Sequence, residues 1–435
     1  MDILEAGMML SRRQALGSSL AAGGVLSGLL PVGLTGSALA SEPGYSDADF
    51  LKRFDGVLGS IRRAAETAFS RSTAHQPAAR AMGLLHIMNN IALGLAFNVH
   101  DDDPMNPELF RYMGYDRKQG GDNQDALYLG VPVDASQTYR LYGNRGTAKY
   151  ISLTTVERGS SPWGGGMGAG LFAQDLEVGP DGDFEVIFSA TPHPENWLKL
   201  TPADFRVTIR QFFADWENER PMRARIERIG PPASPPLMTA ERIMESLEAT
   251  GQWIENTITF WQDTMDLFRR TPNQFVSWRS LTGDKLNATP GGEPSCGVWQ
   301  VPEGMALVLR TRPPECQFWN IEFNNPWWET NDYRYRLTGT NMHHAALEDD
   351  GELIVVIAHE DPGIPNWLDT AGFTEGMMGR RWIFSDTSPE IECNLVRQDA
   401  LFDHLPKNVK RMDAQQRAEQ VAARRRGIYN RFNWM

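Results

Sequence analysis

Short segments of alternating apolar and polar residues dominate two stretches of this chain. The first stretch begins near Asp125 and contains ALYLGVPVD, TYRLYGN, AKYISLTTV, DFEVIFSA and DFRVTIRQFF. The second begins near Cys296 and contains ALVLRT, CQFWNIEF, YRYRLTG, HHAAL and ELIVVIAH. Alternation with a period of two is typical of strands buried on one face, and closely spaced turn residues between such runs are typical of antiparallel sandwiches. The sequence therefore predicts two β-sandwiches.

Helical periodicity flanks and separates the two stretches. Apolar residues recur at helical spacing over residues 46–70, 78–98 and 239–270, and residues 412–426 form a basic helical segment. We expect a mainly β protein with helices, in which two jelly-roll-like antiparallel β-sandwich domains are joined by a long helix and preceded by a helical N-terminal segment. The predicted divisions are a leader (1–40), a helical segment (41–120), the first sandwich (121–236), a helical connector (237–285), the second sandwich (286–405) and a C-terminal basic helix (406–435).

The first forty residues have the features of an export signal. Arg12 and Arg13 precede a stretch without charge that lasts until Glu42, and that stretch contains the small-residue tripeptide ALA at 38–40. A twin arginine followed by a weakly apolar run and an Ala-x-Ala end is typical of the twin-arginine route. We expect transport by the twin-arginine export machinery to the periplasm, cleavage after Ala40 and no stable membrane anchor afterwards.

The composition excludes several classes of function. The 435 residues carry a formal net charge of −13, which argues against binding nucleic acid or an anionic membrane surface. The sequence has no Walker loop, HExxH, GxSxG or CxxC motif, so neither a cofactor nor a metal is expected.

Three cysteines, Cys296, Cys316 and Cys393, remain for an oxidising compartment. One pair could form a disulfide, and Cys296 with Cys316 is favoured because the two are close in sequence near predicted neighbouring strands. Three free thiols are the alternative.

Carboxylates and aromatic residues concentrate in NWLDTAGFTEGMMGRRW (366–382) and in the preceding HEDPG (359–363). Paired carboxylates beside a stacking ring suit a sugar, because one can act as acid and the other as base or nucleophile. The predicted catalytic residues are Asp369 and Glu375, with Asp361 or Glu329 as a substitute for one of the pair.

The predicted binding residues are polar or aromatic side chains of this stretch and of GDNQDALY (121–128). They are Asp122, Asn123, Tyr128, Asn366, Trp367, Arg381 and Trp382. Trp367 would stack on a sugar and Arg381 would orient a carboxylate. A purely structural role is the alternative, in which Asp369 makes an Asx turn and Arg381 pairs with Glu375.

GDNQDALY, DYRYRLTGTN and HEDPGIPNWLDTAGFTEGMMGRRW together resemble a bacterial family whose C-terminal module is domain of unknown function 1214. The N-terminal half is similar to its companion, domain of unknown function 1254. The resemblance covers most of residues 100–400. It implies two jelly-roll modules with helices between them, similar to peptide N-glycosidase F-like double jelly rolls, which several carbohydrate hydrolases use. Relatives often carry His where this chain has Phe373.

Three functions are compatible with these features. The first is a periplasmic hydrolase or lyase acting on a carbohydrate or glycoconjugate, with an oligosaccharide or small molecule as ligand. The second is a non-catalytic ligand-binding or envelope-assembly protein that uses the same Trp and Arg residues. The third is an enzyme acting on small aromatic or hydrophobic compounds, which the tryptophans of NPWWET (325–330) would accommodate.

Overall fold

The strands form four sheets, two in each half of the chain. The computed structural model describes residues 44–71, 76–159, 161–282, 289–292 and 294–432, so the predicted leader (1–40) lies outside the described residues. The strands of the first half are β1 (Phe110–Met113), β2 (Ala126–Pro132), β3 (Thr138–Asn144), β4 (Tyr150–Glu157), β5 (Gly166–Phe172), β6 (Asp183–Ser189), β7 (Trp197–Lys199), β8 (Asp204–Phe212) and β9 (Arg223–Ile229). The strands of the second half are β10 (Val276–Ser277), β11 (Ser295–Gln300), β12 (Met305–Thr311), β13 (Cys316–Phe323), β14 (Gly339–Asn341), β15 (Leu353–Ala358), β16 (Trp367–Asp369), β17 (Glu375–Ser385) and β18 (Glu392–Arg397).

The two halves have the same topology. The five-stranded sheets have the orders β1-β2-β8-β4-β5 and β10-β11-β17-β13-β14, and the four-stranded sheets have the orders β7-β6-β3-β9 and β16-β15-β12-β18. Adding nine to each strand number of the first half gives the second half. The correspondence includes the parallel pairs β6–β7 and β15–β16, whereas the other pairs are antiparallel. The predicted mainly β fold with helices is confirmed, and it contains a repeat of nine strands.

Side-chain alternation places the two five-stranded sheets face to face. In β2, Leu127 belongs to the core of the first sandwich, whereas Tyr128 points the other way into a shared apolar layer. In β17, Trp382 belongs to the core of the second sandwich, whereas Ile383 belongs to the same shared layer. Rings from both sandwiches meet there, since the centroids of Phe212 and Phe318 lie 5.3 Å apart.

Helices cover this arrangement. They are α1 (Asp47–Ser70), α2 (Pro77–Leu95) with a π-helical turn (Ala96–His100), α3 (Ala240–Phe268), α4 (Trp278–Thr282), a 3₁₀ helix (Gln398–His404) and α5 (Ala414–Phe432). Ser46 and Asp49 form a capping box that starts α1, and Thr239 caps α3. The long predicted helices are confirmed, and α3 is the connector, with Trp261 reaching into the shared layer.

The stretch Pro77–His100 is long and apolar enough to cross a membrane, with a mean hydropathy of 1.3. Within the protein, 39% of this segment is buried. His86 and Asn90 lie on its buried side.

The three cysteines are free thiols, so the predicted Cys296–Cys316 disulfide is wrong. Cys296 lies on β11 and Cys316 on β13, and β17 lies between these strands. Two strand spacings of about 4.8 Å separate the backbones by more than the ~7 Å that a disulfide can bridge.

Two segments predicted as strands form turns instead. Asp332, which precedes YRYRLTG, accepts a hydrogen bond through its carboxylate from the backbone N–H of Arg334 (3.2 Å). Asn341, which precedes HHAAL, accepts through its side-chain oxygen from the backbone N–H groups of His343 (3.0 Å) and His344 (2.9 Å). Asp and Asn side chains that bind the backbone just ahead replace a ladder with a turn.

Candidate functional site

Two of the predicted catalytic carboxylates are held by arginines and by the backbone of their own loops. Asp369 accepts a hydrogen bond from Arg336 (2.6 Å) and another from the backbone N–H of Ala371 (2.8 Å). Asp361 accepts from Arg417 (2.8 Å). The contact between Asp369 and Ala371 is the Asx turn of the structural alternative, and a catalytic role for either carboxylate stays a prediction.

Glu375 begins β17 and accepts hydrogen bonds from Arg269 (3.3 Å) and Gln300 (3.4 Å). The expected pairing of Glu375 with Arg381 is wrong, since Arg381 pairs with Glu322 instead. Six residues of extended strand separate Glu375 from Arg381, a distance of roughly 20 Å.

The remaining predicted binding residues of this stretch secure it to the second sandwich. The Asn366 amide donates to two backbone carbonyls (2.8 and 2.9 Å), and the Trp367 indole donates to the carbonyl of Ala358 (3.0 Å). Trp382 packs in the sandwich core against Trp319, with ring centroids 5.9 Å apart. Asn366 and Trp367 hold the backbone of this stretch, and Trp382 packs in the core. A ligand-binding role for these residues stays a prediction.

Tyr128 and Arg381 line one cavity between the two five-stranded sheets. Its volume is about 120 Å³, and an engineered cavity of about 150 Å³ holds benzene. The aromatic residues of its described lining are Tyr112, Tyr128, Trp163, Trp261, Trp278 and Trp328. The polar or ionisable residues are Gln119, Arg210, Thr289, Cys296, Glu322 and Arg381. The cavity is therefore the size of about one six-membered ring.

A buried ion pair marks one wall of the cavity. Arg381 Nη1 lies 2.6 Å from Glu322 Oε2, and the two side chains are 12% and 1% exposed. Burial raises the pKa of Glu322, although the charge of Arg381 acts in the opposite direction. Burial also raises the pKa of Tyr128, so the phenol keeps its proton at neutral pH. Burial raises the pKa of Cys296 to about 12, so its thiol is a poor nucleophile there.

The two arginines of the cavity occupy equivalent places in the repeat. Arg210 lies on β8 and Arg381 on β17, the central strands of the two five-stranded sheets. Arg210 is paired with a residue of β4 and Arg381 with a residue of β13. In both cases the arginine side chain contacts the residue that lies two positions further along that neighbouring strand. Arg210 donates to the Thr154 hydroxyl (3.0 Å), and Arg381 binds the Glu322 carboxylate. The same arrangement thus holds a hydroxyl in one half and a carboxylate in the other.

The aromatic wall includes a residue in an unfavourable backbone conformation. Trp328 has a φ of +55°, which is rare for a bulky residue and is typically retained at functional sites. Its carbonyl accepts a hydrogen bond from Gly121 (2.8 Å). Side chains at Gly120 and Gly121 would collide with the rings of Trp261 and Trp328, at 2.3 and 2.7 Å. Both glycines also have positive φ. The backbone at the start of GDNQDALY therefore needs residues without a side chain in order to pack against these rings.

The residues after Trp328 are clamped to the rest of the protein. The Glu329 carboxylate lies 2.7 Å from Nδ1 of His86, and both side chains are 1% exposed. The backbone N–H of Thr330 donates to Asp122 (2.9 Å), and Lys118 donates to the carbonyl of Thr330 (2.6 Å). Burial raises the pKa of Asp122 to about 7. Asp122, a predicted binding residue, therefore supports the cavity wall from behind.

Asn123 connects the two sandwiches. Its side-chain oxygen accepts from Asn320 of β13 (2.9 Å), and Asn320 also donates to Asp125 (2.7 Å). Asp125 accepts further hydrogen bonds from Asn341 and Trp216, both 2.8 Å. The GDNQD segment thus connects the two sandwiches through buried hydrogen bonds beside the cavity.

Three cavity tryptophans have buried indole N–H groups. The indoles of Trp163, Trp261 and Trp328 find no hydrogen-bond acceptor among the described residues. Buried donors in native proteins almost always have a partner, so such groups point to a place where water or a ligand supplies the acceptor.

Glu322 and Arg210 are the main cavity residues that sequence reasoning missed. Both lie inside predicted strands, in CQFWNIEF and DFRVTIRQFF. The available signal was a charged side chain in the middle of a strongly apolar strand, because charged residues are rarely buried unless they have a partner or a function.

Comparison with known proteins gives the family. The sequence profile of the family described as protein of unknown function (DUF1214) matches residues 124–215 and 304–378. The crystal structure of an uncharacterized protein from Burkholderia cenocepacia is 30% identical with a TM-score of 0.76. The similarity covers 80% of this chain and 98% of that one. The chain belongs to the DUF1214 family. The matched regions of this DUF1214 protein lie in both sandwiches and include Tyr128, Arg210 and Glu322.

A second solved structure, the VPA0106 protein from Vibrio parahaemolyticus, is 13% identical with a TM-score of 0.41 and covers 77% of the DUF1214 chain and 100% of its own. No curated protein matches the chain.

Proposed function

We propose that this DUF1214 protein binds a small, mainly apolar molecule of about one six-membered ring in the cavity between its two five-stranded sheets. The observation that carries this proposal is the cavity itself, with aromatic walls on several sides and the Glu322–Arg381 pair on one. Concave sites lined by aromatic rings with few, well-placed polar groups are typical of small-molecule binding. The ligand would stack on the rings and carry at least one polar group.

The buried ion pair supports a binding role over a purely structural one. Replacing a buried pair by well-packed apolar residues is often neutral or stabilising, so stability alone gives little reason to keep Glu322 and Arg381. A polar ligand group that contacts them gives such a reason. The Tyr128 phenol on the same cavity adds a hydrogen-bonding group that remains protonated.

Carbohydrate hydrolysis or elimination ranks second. Two-carboxylate glycoside hydrolysis needs a pair of carboxyl groups roughly 5 to 10 Å apart. The described lining of the cavity contains one carboxylate, Glu322. Asp361, Asp369 and Glu375 have arginine partners elsewhere. This reaction is supported by the sequence motif and by the double-sandwich architecture, and a ring-sized cavity suits a single sugar unit better than an oligosaccharide.

We further propose that the protein is exported to the periplasm by the twin-arginine route and cleaved after Ala40. Arg12, Arg13 and the Ala-x-Ala tripeptide support this proposal. A correspondence of the N-terminal half with the companion domain 1254 stays a proposal beside the DUF1214 match over residues 124–215. Lysine substitution of both arginines should retain the unprocessed chain in the cytoplasm, which cell fractionation and N-terminal sequencing would detect.

Thermal-shift titration with monocyclic alcohols, acids, amines and monosaccharides tests the binding proposal. A true ligand should raise the melting temperature of residues 41–435 and of a matched Asp369→Asn control. It should not stabilise Cys296→Phe, which fills the cavity. Equal stabilisation of the filled variant would place the binding site elsewhere. Mass spectrometry of the same mixtures, extended to envelope oligosaccharides, would reveal products, and products lost in Asp369→Asn would restore the carbohydrate reaction to first place.

A further inference from the structure

The repeat allows the two walls of the cavity to be compared residue by residue. Arg210 and Arg381 stand at equivalent positions on the central strands β8 and β17. The groups that they contact differ, because the position of Thr154 in the first sandwich is occupied by Glu322 in the second. The carboxylate of Glu322 lines the cavity, whereas Thr154 lies behind Arg210 and is not part of the described lining.

Glu322 retains capacity to accept hydrogen bonds. A carboxylate has about four lone-pair sites. Arg381 approaches through Nη1 (2.6 Å) and Nη2 (3.1 Å), and no other donor among the described residues bonds to Glu322. The carboxylate is 1% exposed, so bulk water does not satisfy what remains. An acceptor-only ligand placed beside it would leave these sites unpaired, which is unfavourable in a buried site.

The backbone beside this carboxylate leaves it room. Gly379 is the cross-strand partner of Glu322, and a Cβ atom at position 379 would lie only 2.9 Å from Glu322 Oε1. Real Cβ contacts are longer, so any larger residue there would displace the carboxylate. The absence of a side chain at Gly379 therefore allows the Glu322 carboxylate to occupy this position.

We infer that Glu322 is the specificity-determining residue of the cavity and selects ligands that present a hydroxyl or amino hydrogen to the wall of the second sandwich. This inference rests on the proposed binding function. Arg381 acts as the positioning residue that holds the carboxylate in place. The ligand class is then a ring-sized, mainly apolar molecule with a hydrogen-bond donor, such as a monocyclic alcohol, phenol or amine.

Benzyl alcohol and methoxybenzene form a matched pair of probes. They have the same atoms and nearly the same size, but only the alcohol has a hydrogen to donate. A hydrogen bond to a charged group contributes about 1.5–3 kcal/mol, so the intact protein should prefer the alcohol by roughly 10- to 100-fold. Titration calorimetry with residues 41–435 measures both affinities. Glu322→Thr, which copies the first sandwich, should reduce the preference to a few-fold.

The outcomes separate this inference from the proposal on which it rests. Equal affinities for the two probes in the intact protein would overturn the selection by Glu322 while leaving the cavity as a binding site. No binding of either probe would overturn both. Gly379→Ala provides a second variant, because it shifts the carboxylate without removing its charge. A preference for the alcohol that survives in both folded variants would also overturn the inference.

Discussion

Two regions of this protein concentrate polar and aromatic residues, and they differ in how those residues come together. In the segment 359–382, they are neighbours along the chain, and Asp361, Asp369 and Glu375 each have an arginine partner outside the cavity. Around the cavity they come from both sandwiches, since Tyr128 and Glu322 are almost two hundred positions apart. The polar and aromatic residues that are adjacent in the sequence form turns here. Those that come from two different sheets line a cavity that a ligand can enter.

The sharpest way to break this comparison is to remove the arginine partner of one carboxylate in each region. Arg381→Ala would leave the Glu322 carboxylate buried without its partner and should lower the free energy of unfolding by about 3–5 kcal/mol. Arg336→Ala removes the half-exposed partner of Asp369 and should lower it by less than about 1 kcal/mol. Urea unfolding measures both values, and similar losses would show that the two ion pairs are equivalent.

The pH dependence of stability extends the comparison to the support behind the cavity. The pKa of Asp122 is raised from 3.8 to about 7 by burial. Its contribution to stability is therefore fully present below pH ~4 and is lost as the pH rises towards 7, by about 1.4 kcal/mol for each unit of the shift. Asp122→Asn should lack this dependence. The difference in unfolding free energy between the two proteins, followed from pH 4 to pH 8, should change in favour of the variant. A constant difference would mean that Asp122 has an ordinary pKa.

A smaller effect is expected from the predicted catalytic carboxylates. Asp369→Asn keeps the shape of the side chain that makes the Asx turn, so its unfolding free energy should change by no more than about 1 kcal/mol. Its affinity for benzyl alcohol should equal that of the unchanged protein in calorimetry. A tenfold loss of affinity would instead connect the 359–382 segment to the cavity.

The smallest expected effect concerns the thiols. Burial raises the pKa of both Cys296 and Cys393 to about 12, and that of Cys316 is also raised. Labelling of the native protein with iodoacetamide at pH 8 should therefore be slow at all three, because the thiolate is the reactive form. The intact mass should show three reduced cysteines after oxidative folding. A loss of two hydrogens would indicate a disulfide, and peptide mapping that joined Cys296 to Cys316 would contradict the strand order β11-β17-β13.

Local patterns in the sequence predict the elements of this fold more fully than their assembly. Alternation in ALYLGVPVD predicts β2, and the apolar spacing of residues 239–270 predicts α3. Alternation wrongly predicts strands next to Asp332 and Asn341, because these side chains bind the backbone and make turns. The repeat escapes detection because equivalent positions such as Thr154 and Glu322 carry different chemistry. The two halves have the same strand order at these positions but carry different residue types.

The candidate site is predictable only in part for a related reason. Tyr128 and Arg381 stand in conspicuous motifs, so sequence reasoning selects them. Glu322 and Arg210 lie in ordinary strands, and alternation assigns each to one face of a sheet. Which face meets the other sandwich, and which residues lie opposite one another across it, depends on the packing of whole sheets. That information is not local.

The shared topology of the two halves has a consequence for symmetry. Two separate copies of one nine-stranded unit, facing each other, would carry the same residue at both equivalent positions. They would then have either two hydroxyls or two buried carboxylates that repel each other. Within a single covalent chain, each copy can change without the other, as Thr154 and Glu322 have done. Because the carboxylate of Glu322 has no counterpart in the described lining of the first sandwich, a ligand with a single donor group should bind in one preferred orientation.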